Sequence, residues 1–253
     1  YGLYAAGTFK KAGGLPVNYI ARWDGTAWSV VGGGVSSWVF ALTSFDDGTG
    51  PQLYAGGYFL QAGGVAVNRV ARWDGASWWP LGNGLPEAPT KLVVLDDGSG
   101  PALYAAWDQG VSKWNGEQWI LIGSTDPYSV HALAYFDDGG GPALFAAGYF
   151  FTIGGVSARH IAKWDGSTWM PLEGYINTTV YDLAVFNDGN GPGLFLGGDI
   201  SQAGNTLSSG IAKWYNPCQQ TPPIPAVSEW GVAFMALATI AAASAILLRR
   251  RYA

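Results

Sequence analysis

Cysteine is nearly missing from this chain. A single residue, Cys218, stands among 253, so no internal disulfide framework can form and the fold must hold by packing. Its surroundings, Asn216-Pro217-Cys218-Gln219-Gln220-Thr221-Pro222-Pro223, read as a linker. Charge is scarce too. Charged residues make up 12% of the chain against 15% aromatics, which leaves ample apolar surface to bury and argues against disorder. Bases are the scarcer sign: residues 1–228 hold seventeen acids and ten bases, a net charge of −7, while the other three bases are Arg249, Arg250 and Arg251. Such an acidic body lacks the basic stripe that nucleic acid requires of its partners. There are two histidines, His131 and His160. No paired-histidine metal motif, Gly-x-Ser-x-Gly elbow or phosphate loop accompanies them, and each reads as a polar residue at a strand edge.

What the chain has instead is repetition. Leu3-Tyr4-Ala5 returns at 53–55 and 103–105, then as Leu-Phe-Ala at 144–146 and Leu-Phe-Leu at 194–196. A second block keeps step: Ala-Arg-Trp-Asp-Gly at 21–25 and 71–75, Ser-Lys-Trp-Asn-Gly at 112–116, Ala-Lys-Trp-Asp-Gly at 162–166 and Ala-Lys-Trp-Tyr-Asn at 212–216. Successive copies are 50, 50, 41 and 50 residues apart in the first block and 50, 41, 50 and 50 apart in the second. Repeats of this length, rich in glycine and aromatics, specify a radial or stacked architecture. No 3.5- or 3.6-residue periodicity runs through them, which excludes coiled coils and helical repeats.

Residues 39–84 show one unit most clearly. An apolar run at 39–45 suits a strand buried on both faces. Asp46-Asp47-Gly48-Thr49-Gly50-Pro51 is a turn. Leu53 to Phe59 is a second strand of small residues, suited to a crowded position. A longer loop spans 60–68, Arg69 to Trp73 is a third strand, Asp74-Gly75 a tight turn and Trp78 to Leu81 a fourth strand. The 41-residue unit lacks about nine residues between Trp107 and Val111, a deletion confined to the long loop. Four short antiparallel strands repeated side by side describe the blade of a β-propeller. The expectation is an all-β protein with full blades at 39–84, 91–123 and 131–173 and three strands each at 3–31 and 181–214. That makes four and a half blades. Because the chain starts at Tyr1 inside a unit, a fragment of a larger ring is favoured over an incomplete five-bladed one.

The Leu-Tyr-Ala-Gly-Gly strand, the third strand ending in Trp-Asp and the tryptophan beyond Asp-Gly resemble kelch-type propeller repeats over residues 3–214. The third-strand aromatic is Trp here: Trp23, Trp73, Trp114, Trp164 and Trp214. The Asp-Gly-x-x-Trp steps at 24–28, 74–78 and 165–169 are similar to the Asp-box turn of other propellers, one residue short. The resemblance implies fold only, because propellers host binding and several enzymatic chemistries alike.

Several motifs admit two readings. The paired acids Asp46 and Asp47, Asp96 and Asp97, Asp137 and Asp138 (with Asn187-Asp188 as a variant) could ligate calcium. They equally suit turns closed by Asx side chains, and adjacent acids diverge. Arg22, Arg72, Lys113, Lys163 and Lys213 each precede the repeat tryptophan, which reads as blade-to-blade pairing or stacking on an aromatic, with a ligand-binding ring as the alternative. Nine of the thirteen tryptophans fall at two repeat positions and read as packing; Trp38, Trp79 and Trp107 lie outside the register and are candidates for a ligand site. Asn177-Thr178-Thr179 fits a glycosylation triplet.

Composition changes after Tyr215. The body at 1–215 gives way to a Pro-rich linker at 216–223, then to Ile224-Pro225-Ala226-Val227-Ser228-Glu229-Trp230-Gly231, an uncharged run at 231–248 and the three arginines. Eighteen helical residues reach roughly 27 Å, enough to cross a bilayer core with Trp230 at one interface and the arginines in the cytoplasm. This layout resembles the IPTL-CTERM sorting tails of bacteria, relatives of PEP-CTERM signals, with Ile224, Pro225, Ser228, Glu229, Trp230 and Gly231 matching the motif. The resemblance implies an exported bacterial precursor, anchored transiently in the inner membrane by a C-terminal transmembrane helix. An exosortase-type enzyme would then process it and release it to the cell surface or matrix.

The resulting expectation is a surface-delivered propeller that binds a glycan or protein ligand through rim loops at 32–38, 82–90, 123–130 and 174–179, without catalysis or a required cofactor. A secreted enzyme acting on polysaccharide is the alternative, for which Glu87, Asp108, Asp126 and Glu173 are the off-register acids. A passive matrix component is the third reading.

Overall fold

A computed structural model describes residues 2–97, 99–125, 128–172, 174, 176–189 and 191–214, with the backbone of Ile246–Leu248. Every described element is a β-strand and every pairing is antiparallel. Five larger sheets follow one another along the chain. The second contains Val39–Asp46, Pro51–Gly57, Val70–Trp73 and Trp78–Pro80, paired in that order. The third contains Lys91–Asp96, Pro101–Trp107, Gly110–Trp114 and Trp119–Ser124. The fourth contains Ser129–Asp137, Pro142–Tyr149, Ile161–Trp164 and Trp169–Pro171. The first sheet has Gly2–Ala6, Ile20–Trp23 and Trp28–Val30 in the second, third and fourth places; the fifth has Val180–Asn187, Pro192–Gly198 and Ile211–Trp214 in the first three. These are the strands expected from the repeat, to within two residues at their ends.

Two features differ from expectation. The 60–68 loop contains a two-residue hairpin, Gln61–Ala62 against Val65–Ala66, and equivalent hairpins occur in the first, fourth and fifth units. The 41-residue unit turns directly from Trp107 to Gly110 instead. The first strand, moreover, is not buried on both faces. Phe40 and Asp46 of Val39–Asp46 are exposed, whereas the last five residues of Pro51–Gly57 are all buried. It is the second strand that is sandwiched, which is why it is built from Leu, Ala and Gly with one aromatic.

The core is not continuous. It divides into four clusters, each shared by consecutive sheets. Ile20 and Val31 pack with Leu53 and Ala55; Phe45 and Tyr54 with Leu103 and Ala105; Leu95 and Tyr104 with Leu144 and Ala146; Phe136 and Phe145 with Leu194 and Leu196. The first strands of successive sheets lie against one another. Lys91 in the third sheet reaches Asp182 in the fifth at 3.3 Å, so the first strands of those two sheets come within side-chain reach of each other.

A bulge interrupts the first strand at Val39/Ala41, Val130/Ala132 and Val180/Asp182. Opposite it stands a glycine: Gly57, Gly148 or Gly198. A Cβ on Gly148 would lie 2.1 Å from the Ser129 carbonyl oxygen. The third sheet has Trp107 at this place, and its register runs unbroken. Gly148→Ala is therefore expected to cost about 1–3 kcal/mol through enforced backbone displacement, read as a lowered denaturation midpoint.

No helix among the described residues is long and apolar enough to cross a membrane. Cys218, the 216–223 linker, the 224–231 motif and Arg249–Arg251 lie outside the described residues, as does the expected span 231–248 apart from its last three positions. Those three, Ile246–Leu248, are extended and pair with Gly2–Tyr4. They occupy the place that Val39–Asp46 holds in the second sheet, where an open strand edge accepts any extended segment.

Candidate functional site

At one end of the sheets the paired acids close their own turns. Asp46 Oδ1 accepts hydrogen bonds from the amides of Gly48 and Gly50 at 2.9 and 3.0 Å, and Asp137 Oδ1 does the same for Gly139 and Gly141. Asp96 accepts from Gly100. Asn187 takes this role in the fifth unit, so the position requires an acceptor and not a charge. The second acid meets the cation that precedes the repeat tryptophan. Asp47 pairs with Arg72 at 3.1 Å, Asp97 with Lys113 at 2.5 Å, Asp138 with Lys163 at 2.7 Å and Asp188 with Lys213 at 2.9 Å. Each pair joins the turn to the third strand of the same sheet, which corrects the expected blade-to-blade pairing. Three of these lysines also lie over a ring one strand away: Tyr104, Phe145 and Phe195. Burial pushes the Asp97 carboxyl up, but Lys113, Ser99 and Tyr104 outweigh it and hold the acid well below its usual range. The Tyr54 hydroxyl is pushed up to about 12 by burial and by Asp47. Among the described residues no group of three or more His, Cys, Asp or Glu is arranged to hold a metal.

The Asp-Gly turns use the same device. Asp24, Asp74, Asn115 and Asp165 each accept from the amides two and three residues on. These amide bonds draw Asp24 and Asp165 down to about 2.

Recurring tryptophans form pairs across the third and fourth strands, with ring centroids 5.4–5.5 Å apart. Trp78 Nε1 donates to the Val31 carbonyl and Trp169 Nε1 to that of Ile122, each in the preceding sheet. They are wedges between sheets. Of the three non-repeating candidates, Trp107 is buried (7% exposed) and donates to Ser112 Oγ, so it offers no ligand surface. Trp79 is exposed on the outermost strand, held by Asp74 at 2.6 Å and by Arg72.

Trp38 lies elsewhere, at the end opposite the paired-acid turns, and is not alone. It stands 6.4 Å from Phe40 and 6.3 Å from Tyr58, and those two are 5.1 Å apart, all edge to face. All three are exposed, Tyr58 to 56% and Trp38 to 47%. Just past the strand Pro51–Gly57, Phe59 is wholly buried while its neighbour Tyr58 faces solvent. Two units later the same end of the sheet carries a second patch, built from partly different positions. Tyr149 replaces Tyr58, with Tyr128 at 4.6 Å and Phe151 at 5.8 Å. His160 lies under it, stacked 5.7 Å from Tyr149 and 5.3 Å from Phe151. His131 stands where Phe40 does, 5.8 Å from Tyr181, whose hydroxyl donates to Asp199.

His160 is therefore a core residue, 3% exposed, and not the polar strand-edge residue expected. Burial holds its pKa below the usual value. His131 is also lowered by burial, against the pull of Asp108. Of the off-register acids, Asp108 is exposed and Glu87 half-buried, while Asp126 and Glu173 lie outside the described residues. Asn177 uses its side chain to bind Ser201 and Gln202 of the next hairpin. Exposed rings grouped in this way can stack on the C–H faces of a planar or cyclic ligand.

No family model matches the chain, and a search of curated proteins likewise finds no match.

Proposed function

We propose that the sheets are blades of a β-propeller and that its aromatic rim binds a ligand, with glycan as the chemistry that fits exposed, edge-to-face rings. The mutual packing of first strands and the Lys91–Asp182 pair support a radial arrangement. The observation that carries the binding reading is the Trp38–Phe40–Tyr58 triad, three large rings left in solvent by a chain whose repeating tryptophans are all buried or half-buried. In this reading the rim acts as a binding or structural module, without catalysis of its own. Residues 224–231 direct processing by an exosortase-type enzyme, 231–248 anchors the precursor in the inner membrane with Arg249–Arg251 as the stop, and the product reaches the cell surface or matrix.

A glycan array probed with the full chain in mild detergent tests the site. Trp38→Ala with Tyr58→Ala is expected to weaken binding at least tenfold, the effect of losing an aromatic anchor worth about 1.4 kcal/mol or more. Trp79→Ala, on the outermost strand, should leave binding unchanged. A wild-type chain that binds no glycan, or a double variant that binds as well as wild type, would remove the reading.

A further inference from the structure

The junction between the second and third sheets is not closed in the way its neighbour is. Between the third and fourth sheets, the Asp165-Gly166 turn is seated on the paired-acid turn before it: a Cβ on Gly166 would lie 2.8 Å from the Asp97 carbonyl oxygen. Gly116 holds the same place in the third unit, and a Cβ there would meet nothing within 4 Å. This turn leans instead towards the outer side of the second sheet. There, just past the fourth strand, a Cβ on Gly82 would lie 2.6 Å from the Glu117 carbonyl oxygen. A cleft of about 870 Å³ is left between Asn115-Gly116 and the turn at 46–51, within the size range of small-molecule sites.

The walls of this cleft differ in chemistry. Phe45, Pro101 and Trp114 form an apolar side. The polar groups are mostly committed to one another: Asp47 to Arg72, Lys113 to Asp97 and Ser99, and the Thr49 hydroxyl to Asp47. Asp46 is the exception. Its Oδ1 holds the Gly48 and Gly50 amides, but among the described residues it has no cationic partner. The turn does not need that charge, since Asn187 makes the same two bonds in the fifth unit. The cleft thus sets an aromatic wall beside one uncompensated carboxylate.

We infer that this cleft binds a small organic cation with a planar apolar body, such as an aromatic amidine or amine. The body lies against Phe45 and Trp114, where the indole adds cation–π attraction. The cationic N–H groups donate to Asp46 Oδ2. An anion would be repelled by Asp46 and Asp47, and Lys113 is already paired. The inference goes beyond glycan binding and uses a junction between sheets, not the aromatic rim.

Isothermal titration calorimetry on the full chain in mild detergent tests it, with benzamidine as the probe and benzamide as its uncharged counterpart. The wild type should bind benzamidine about tenfold more tightly than benzamide, the effect of one charge-assisted contact. That preference should shrink as salt rises towards about 1 M, where the Debye length is about 3 Å. Asp46→Asn keeps the acceptor of the turn and should abolish the preference while leaving benzamide binding unchanged. Thr49→Phe narrows the cleft and should weaken both compounds. Both variants should unfold at the wild-type denaturation midpoint, because Asn187 and Gly140 hold the equivalent places in other units. A wild type that binds neither compound, or both equally, overturns the inference. So does an Asp46→Asn variant that still prefers the cation.

Discussion

Replacing Trp169 by alanine is expected to lower stability by about 3–5 kcal/mol, the range for deleting a buried tryptophan, and to lower Tm by about 10 °C in a chain of this size. Three losses combine. The indole is 5% exposed and fills the junction between the third and fourth sheets. Its Nε1 satisfies the Ile122 carbonyl at 2.8 Å. Gly123 is shaped around it, since a Cβ there would lie 2.5 Å from Nε1, and it has no side chain of its own to fill the space. Trp169→Phe separates the terms: it should recover most of the packing but not the hydrogen bond, and cost about 1–2 kcal/mol. Thermal or urea denaturation decides. A loss under 1 kcal/mol for the alanine variant would mean that the tryptophan is not the wedge described.

Asp97→Ala is the second large effect, expected at about 3 kcal/mol, the lower end for breaking a buried ion pair. The carboxylate is 4% exposed and Lys113 is 22% exposed, so the stranded ammonium regains some solvent. The Tyr104 hydroxyl, donating to Asp97 Oδ2 at 2.6 Å, loses its acceptor as well. The pH dependence carries the sign of a depressed acid. Folded Asp97 titrates below its ordinary value of 3.8, so its stabilisation is complete above that value and disappears as pH falls towards the folded pKa. Wild-type urea midpoints should therefore drop between pH 4 and pH 2, and the drop should be shallower in the variant. An equally steep acid limb in the variant would assign the effect to other carboxylates.

The strand plan was legible because each unit repeats its own punctuation. Asp-Asp-Gly ends one strand and Asp-Gly another, and comparing five copies fixes boundaries that no single copy would. The functions of the acids and cations were half legible. Spacing marked Asp47 and Arg72 as partners of something, but only the antiparallel register of Arg72 opposite Tyr54 puts them together in one sheet. The aromatic rim was mostly hidden. Tyr58 and Phe59 are adjacent aromatics just past the second strand, and only the folded chain tells that Phe59 enters the core and Tyr58 does not. Trp38 was visible as an irregular tryptophan, yet Trp107 looked the same and is buried, because it closes the second strand of its sheet at a place where Gly57 is buried too. His160 had one signal. Tyr19, Arg69 and His160 share a left-handed backbone, φ 72°, 66° and 67°, at a position where the fifth unit has Gly210. That glycine marks a left-handed turn, at which His160 alone of the three is buried.

The short third unit has a mechanical consequence. Hairpins of the second, fourth and fifth units clasp the preceding sheet, as Gly63 does with Gly34 and Gly154 with Ser124. The third unit has no hairpin to offer. Its wedge tryptophan, Trp119, has a buried Nε1 without an acceptor where Trp78 and Trp169 have one. A cleft of about 870 Å³ opens between the same two sheets, lined by Phe45, Thr49, Ser99 and Lys113. Cooperativity along the array is thus thinnest between sheets two and three. Strain or solvent entering the body would part it there, leaving a pair and a triplet of sheets as separate folding units.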